Sequence, residues 1–206
     1  MSDIIVERLL DSAAELFLER DFHGVSIREL AQRAGTSSGM IRYYFTNKQG
    51  LFEAMLKREY DRILNILKDI INQEELVDFV DTMHRVMQVY EKNPNFPRFI
   101  VKTYLLRHGP GTQIIKDFFQ LEKRIVSSWV RDVIAQGKVD RDANAEVVRI
   151  AFMSLTLLPS LMIDTLKESY SEQGYAEFRD QYVAIAGNMV LGSVKPRSRN
   201  KSKSTS

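Results

Sequence analysis

Apolar residues recur every three or four positions along most of the chain, the spacing of helices with one buried face. Ile5, Val6, Leu9, Leu10, Ala13, Leu16 and Phe17 form the first such stripe and predict a helix over roughly 3–20. It should stop near Asp21, because Phe22-His23-Gly24 follows with a glycine suited to a turn. Ser26-Ile27-Arg28-Glu29 then reads as a capping box. The serine hydroxyl can accept the amide three residues on, while the glutamate reaches back to the serine amide. The helix it opens carries Ile27, Leu30, Ala31 and Ala34 on one face and should end at Gly35. Thr36 and Ser37 can cap a third helix to about Tyr44, with Ile41 and Phe45 facing inward. Thr46-Asn47-Lys48-Gln49 repeats the capping-box logic and opens a fourth helix that keeps period to about residue 71.

Further helices are predicted at about 74–92, 97–108, 112–137, 142–169 and 175–192. Asn93-Pro94, Phe96-Pro97, Gly109-Pro110-Gly111, Gly137 and Gly174 mark the breaks. No alternating β-branched run bounded by hairpin turns occurs, so the fold class is all-α. Residues 193–206, rich in Ser, Lys and Arg, are expected to be a disordered basic tail. The tail holds +5 of a net charge of +2, so the rest of the chain is negative overall and any DNA-binding face must be local.

Two short helices joined by Gly35-Thr36-Ser37, with Ala31 at their crossing and Ile41 sealing the far side, meet the steric needs of a helix-turn-helix at 26–45. The second helix can then enter a major groove, presenting Ser38, Gly39, Met40, Arg42, Tyr43 and Tyr44.

The run L-L-D-S-A-A-E-L-F, followed by F-H-G-V-S-I-R-E-L-A-Q-R-A-G-T-S-S-G-M-I-R-Y-Y-F-T-N-K-Q-G-L-F, strongly resembles the TetR family of repressors from Leu9 to Phe52. The resemblance implies that Ser26 and Arg28 open a helix touching the DNA backbone and sometimes a base. It also implies that Ser37, Ser38, Gly39 and Met40 read base edges, and that Tyr43, Tyr44 and Lys48 meet phosphates. A lysine in the first turn of the fourth helix would join that helix N-terminus in an anion site. Asp21 stands where the family usually has Gly, and Arg42 replaces a very common Tyr. The guanidinium of Arg42 can grip a phosphate or pair with guanine, and the second option predicts a preference for G in each half-site. Each residue also has a plainer reading: Ser26 and Ser37 as caps, Arg28 as a solvated charge, Tyr44 as core.

The resemblance makes the expected architecture a three-helix helix-turn-helix domain over 1–48, followed by a larger helical ligand-binding and dimerisation domain over 49–192. The candidate pocket residues are Met83, Met87, Phe99, Thr103, Tyr104, His108, Phe119, Trp129, Met153 and Thr156, although such residues at helical spacing also suit an ordinary core. Helix 142–169 is apolar over most of its circumference and must be covered on all sides. Phe152, Leu155, Leu158 and Met162 would then meet Tyr182, Ile185, Ala186 and Met189 of the last helix in a homodimer interface. Ala184, Ala186 and Gly187 would allow the last helices to pack closely, unless both helices are internal.

Composition narrows the chemistry. Apolar residues are 44% and charged residues 27% of 206, an ordinary globular balance, and the absence of cysteine removes disulfides and thiolate metal sites. His23, His84 and His108 are too scattered to predict a metal site, and no cofactor is expected. No nucleophile–base pair or Gly-rich phosphate loop argues for an enzyme. Asp3, Glu7, Arg8 and Asp11 interrupt any secretory signal, and the stretch from Ile150 to Ile163 is too short and polar to span a bilayer, so a cytoplasmic protein is expected. The expected partners are a double-stranded, pseudo-palindromic operator, a largely apolar small-molecule effector and a second copy of the chain. A DNA-binding module without small-molecule input, regulated by protein partners or organising the chromosome, is the alternative.

Overall fold

The computed structural model describes residues 2–71, 78–105 and 109–192, and every regular element among them is helical. α1 (Ser2–Glu19) runs into a 3-10 turn (Phe22–Gly24) and is followed by α2 (Ile27–Arg33), α3 (Ser38–Phe45) and the long α4 (Lys48–Ile71). Next come α5 (Phe79–Lys92), α6 (Asn95–Leu105), α7 (Thr112–Ala135), α8 (Ala145–Leu161), α9 (Ile163–Ser169) and α10 (Glu172–Gly192). The expected basic tail at 193–206 lies outside the described residues, as do the expected start of the fifth helix at 74 and the expected end of the sixth at 108.

α4 ties the two parts together because its buried face changes neighbours along its length. Its first half packs under α1, where the Phe52 ring meets Phe17 edge-on at 4.8 Å. Its second half enters the larger helical body, where Tyr60 meets the rings of Phe96 at 5.8 Å and Phe118 at 4.9 Å. Fully burying one such side chain is worth about 1.5–3 kcal/mol, and a continuous core therefore holds both parts together. A second ring cluster stacks Trp129 on Phe79 at 5.5 Å and sets Phe152 against both.

Three sequence expectations need correction. The single helix over 142–169 is two, bent by 56° at Met162. Pro159 stands three residues before the break, inside α8, and lacks the amide hydrogen that would bond the Leu155 carbonyl. The freed carbonyl accepts instead from Tyr182 Oη at 2.9 Å, which ties α10 to α8. Phe96-Pro97 is no break, because Pro97 sits in the first turn of α6, where an amide has no helical acceptor to lose. Ala186 and Gly187 do not lie on an outer face. Both are buried, and a β-carbon at Gly187 would press into Val80 of α5, so they set the distance between α10 and α5.

Candidate nucleic-acid interface

α2 begins where the sequence places it. Glu29 N–H donates to Ser26 Oγ at 3.2 Å, and Ser26 N–H donates to Glu29 Oε2 at 2.9 Å. Arg20 reaches Glu29 Oε1 at 2.9 Å. These donors, the Ser26 amide first, hold the Glu29 carboxyl down at about 2. The Ser26 hydroxyl also donates to Glu29 at 2.8 Å, so its one hydrogen is already engaged inside the protein. The turn between α2 and α3 depends on Gly35, whose φ of +60° favours glycine and whose missing side chain leaves room for the Arg8 guanidinium. Leu30, Ala31 and Ile41 are buried at the crossing and fix α3 by one face.

The opposite face of α3 is spent on nothing internal. Ser37 occupies the N-cap position without making a side-chain cap bond, and Ser38, Gly39, Arg42 and Tyr43 are exposed. Tyr43 is 77% exposed and touches only the edge of the Tyr44 ring among the described aromatic contacts. Gly39 lowers helix propensity by about 0.8–1 kcal/mol relative to Ala. Nothing within the fold requires it, since a β-carbon there would meet only Ser37 Oγ at 3.6 Å. Met40 and Tyr44 are half-buried against the core, and Arg28 is exposed on α2.

The entry to α4 departs from the expected capping box. Thr46 closes α3 at φ +69°, a conformation that strains a β-branched residue, and Asn47 is the cap: its Oδ1 accepts Gly50 N–H at 2.9 Å. Gly50 is required there because a β-carbon would collide with the Phe45 carbonyl. Lys48 does not form an open anion site. Its Nζ donates to Phe22 O and Val25 O, both at 2.8 Å, and rides 4.4 Å above the Phe22 ring. A second lysine works on the same loop from the larger body: Lys102 Nζ, on α6, donates to Phe17 O at 2.7 Å and Arg20 O at 2.8 Å, completing the C-terminus of α1. Sequence reading missed Lys102, because its contacts span more than eighty residues and follow no local pattern.

Inside the larger body, α4 to α8 enclose a narrow apolar slot bordered by Leu67, Val86, Ile100, Phe118, Val126 and Leu157, among others. The space between its walls is about 490 Å³, including the part open to solvent, and is narrow. Two expected pocket residues, Phe119 and Met153, line it. Met83, Met87, Phe99, Thr103 and Trp129 are buried in the surrounding core, as is Thr156, whose hydroxyl donates to Phe152 O at 3.0 Å. Tyr104 is 63% exposed on the outer side of α6, and His108 lies outside the described residues. Glu122 and Arg149, not expected from the sequence, form a buried ion pair at the slot wall. Desolvation raises the Glu122 carboxyl to about 7, against the pull of Arg149.

On the outer surface, Val147, Ile150, Leu158 and Met162 of α8 lie exposed, as do Ile185 and Met189 of α10. Leu155 and Tyr182 are half-buried between them. Phe152 and Ala186, expected on this face, are buried within the chain because they point to α5 and α7 rather than outward. Among the described residues, no single helix is long and apolar enough to cross a membrane.

Residues 9–55 match the sequence model of the bacterial regulatory proteins of the tetR family. The HTH-type transcriptional regulator UidR of Escherichia coli K12 is 22% identical over 189 residues, covering 90% of this chain and 93% of UidR. Salmonella enterica GusR superposes with a TM-score of 0.71 at 18% identity, over 93% of this chain and 96% of GusR. AibR in complex with isovaleryl coenzyme A and operator DNA superposes with a TM-score of 0.69 at 15% identity, over 91% of this chain and 98% of AibR.

Proposed function

We propose that this chain, whose residues 9–55 match the tetR family of bacterial regulatory proteins, is a helix-turn-helix transcriptional regulator, a homodimeric repressor released from its operator by a largely apolar small molecule. The observation that carries this reading is the outer face of α3. Ser37, Ser38, Gly39, Arg42 and Tyr43 stand in the open, anchored from behind by a fully buried Ile41, with Gly39 leaving room for something outside to come close. Two such helices one DNA turn apart, at about 34–36 Å, would read a pseudo-palindrome. Ser38, Gly39, Met40 and Arg42 read bases in this reading, and Arg28, Tyr43 and Tyr44 meet phosphates. Ser26, whose hydroxyl hydrogen is engaged internally, holds the reading head in shape, and Lys48 does so with two of its three ammonium hydrogens while the third is left for a phosphate.

The apolar face of α8 and α10 supplies the dimer contact, and the slot supplies the effector site. Ile100 borders the slot and Lys102, two residues on, holds the C-terminus of α1. A ligand that parts the walls would displace α6 and α4 together and turn the reading heads out of register. Couplings of about 1–3 kcal/mol suffice to change operator occupancy many-fold. That AibR is described with both an acyl-CoA and operator DNA supports such coupling on this fold.

The narrowness of the slot favours a second reading, a DNA-binding module governed by a protein partner. Genome-wide recovery of bound DNA, followed by a screen of small molecules for release, separates the two. On the recovered operator, Arg42→Ala is expected to cost about 1–3 kcal/mol at one base position per half-site. A uniform loss with a flatter salt dependence would assign Arg42 to phosphate. A monomer by light scattering at micromolar concentration would remove the dimer.

A further inference from the structure

Glu122 is 2% exposed and sits on the same face of α7 as Phe118 and Val126, four residues to either side, both of which line the slot. One of its oxygens pairs with Arg149 Nη1. The other, Oε1, is buried and has no hydrogen-bond partner among the described residues. Arg149 has little left to give it: Nε and Nη2 go to Glu146 at 3.1 and 2.8 Å, and Nη1 also reaches Met153 Sδ at 3.0 Å. Thr82, another polar side chain lining the slot, is engaged, donating to Asp78 O at 3.0 Å. An orphaned carboxylate oxygen in an apolar enclosure is costly, and such groups call for an external donor.

We propose that the slot takes a small apolar ligand carrying a hydrogen-bond donor head, an amine or a hydroxyl, which bonds Glu122 Oε1 while the apolar body lies among Leu67, Val86, Ile100, Phe118 and Leu157. This rests on the slot being the effector site and adds what the effector must carry. Glu122 and Glu146 are balanced by Arg149 and Lys123, so no cation is left over for an anionic head, whose own oxygens would be set against Oε1. The slot therefore selects against carboxylates of the same length.

Octylamine, octanol and octanoate share one chain and differ in the head. Their binding to the full chain can be followed by calorimetry and by the fluorescence of Trp129, which packs on the slot residue Phe152 at 5.1 Å. The amine and the alcohol are expected to bind, and octanoate at least about tenfold more weakly. Glu122→Gln, which keeps shape and its oxygen on Arg149 but turns an N–H donor toward the head group, should weaken the amine about tenfold or more while sparing the alcohol, whose oxygen can accept. Val126→Phe, which narrows the slot and adds no second tryptophan, should abolish all binding while Trp129 still reports a folded body. Octanoate binding as well as octylamine, or indifference to Glu122→Gln, with binding still blocked by Val126→Phe, would overturn the donor-head assignment and leave the effector slot standing; a buried water then satisfies Oε1. If neither these probes nor isovaleryl coenzyme A binds or releases operator DNA, the effector reading itself fails, and this inference with it.

Discussion

Glu29, in the helix-turn-helix, has both oxygens engaged, by Ser26 and by Arg20, and lies near the surface. Glu122, in the larger body, is buried with one oxygen paired and the other bare. The same side chain is thus pushed to opposite ends of its titration range, down to about 2 and up to about 7. The difference separates two design problems. A reading head must hold its shape while leaving its outer groups unspent, so its internal donors and acceptors satisfy one another. A site inside a core can keep a group in reserve only by bearing the cost of burying it.

The largest effect that would sharpen this contrast is expected from Arg149→Leu. Removing the guanidinium leaves Glu122 buried without its counter-charge, which should destabilise the body by up to about 3–5 kcal/mol at about pH 9, where the carboxyl is driven to ionise, in urea unfolding followed by Trp129. The loss should shrink at about pH 5, where the carboxyl takes up a proton. An unchanged loss at both pH values would mean that packing, not charge, is at stake. Gly50→Ala comes next. Its methyl group must displace the Phe45 carbonyl, at about 1–3 kcal/mol, and hydrogen exchange should quicken in α3 and early α4 but not in α7. Uniform quickening would show that the two regions unfold as one.

Ser26→Ala should remove about 1 kcal/mol by loss of the cap, with operator affinity falling through helix stability rather than through a lost contact. The smallest effect is the pH response of the wild-type chain. Glu29 has a lowered value, so its contribution is complete above 4.5 and is lost as pH falls toward about 2. Glu122 has a raised value, so its contribution is complete below 4.5 and is lost as pH rises through about 7. Protection of α2 amides should therefore fall on acidification below 4.5, while protection of α7 amides should rise as pH drops from 7 to 4.5. Parallel behaviour of the two helices would erase the distinction.

The reading head was legible in the sequence because its instructions are local. The Ser26–Glu29 box, the Gly35 turn and the Ile41 anchor each act over three to six residues, and each stands where the spacing predicts. Thr46 misled for an equally local reason: it offers the right side chain at a cap-like spacing, but its backbone is consumed in closing α3. In the body, most helices could be located but not arranged. Nothing near Tyr104 says that it faces out while Phe99 faces in, and nothing near Glu122 announces Arg149, twenty-seven residues on. Pro159 was visible, but nothing near it says that the Leu155 carbonyl it leaves free takes a hydrogen bond from Tyr182 of α10.

The lysine of α6 that completes α1 has a consequence for portability. Residues 1–48 transplanted onto another regulator would bring their recognition surface intact and still lack Lys102, leaving the carbonyls of Phe17 and Arg20 to water. The first helix of such a graft should fray at its last turn, and with it the platform beneath the Phe22–Gly24 turn that Lys48 grips from the other side. The reading head is therefore finished by the domain it reports to, and cannot be lent out whole.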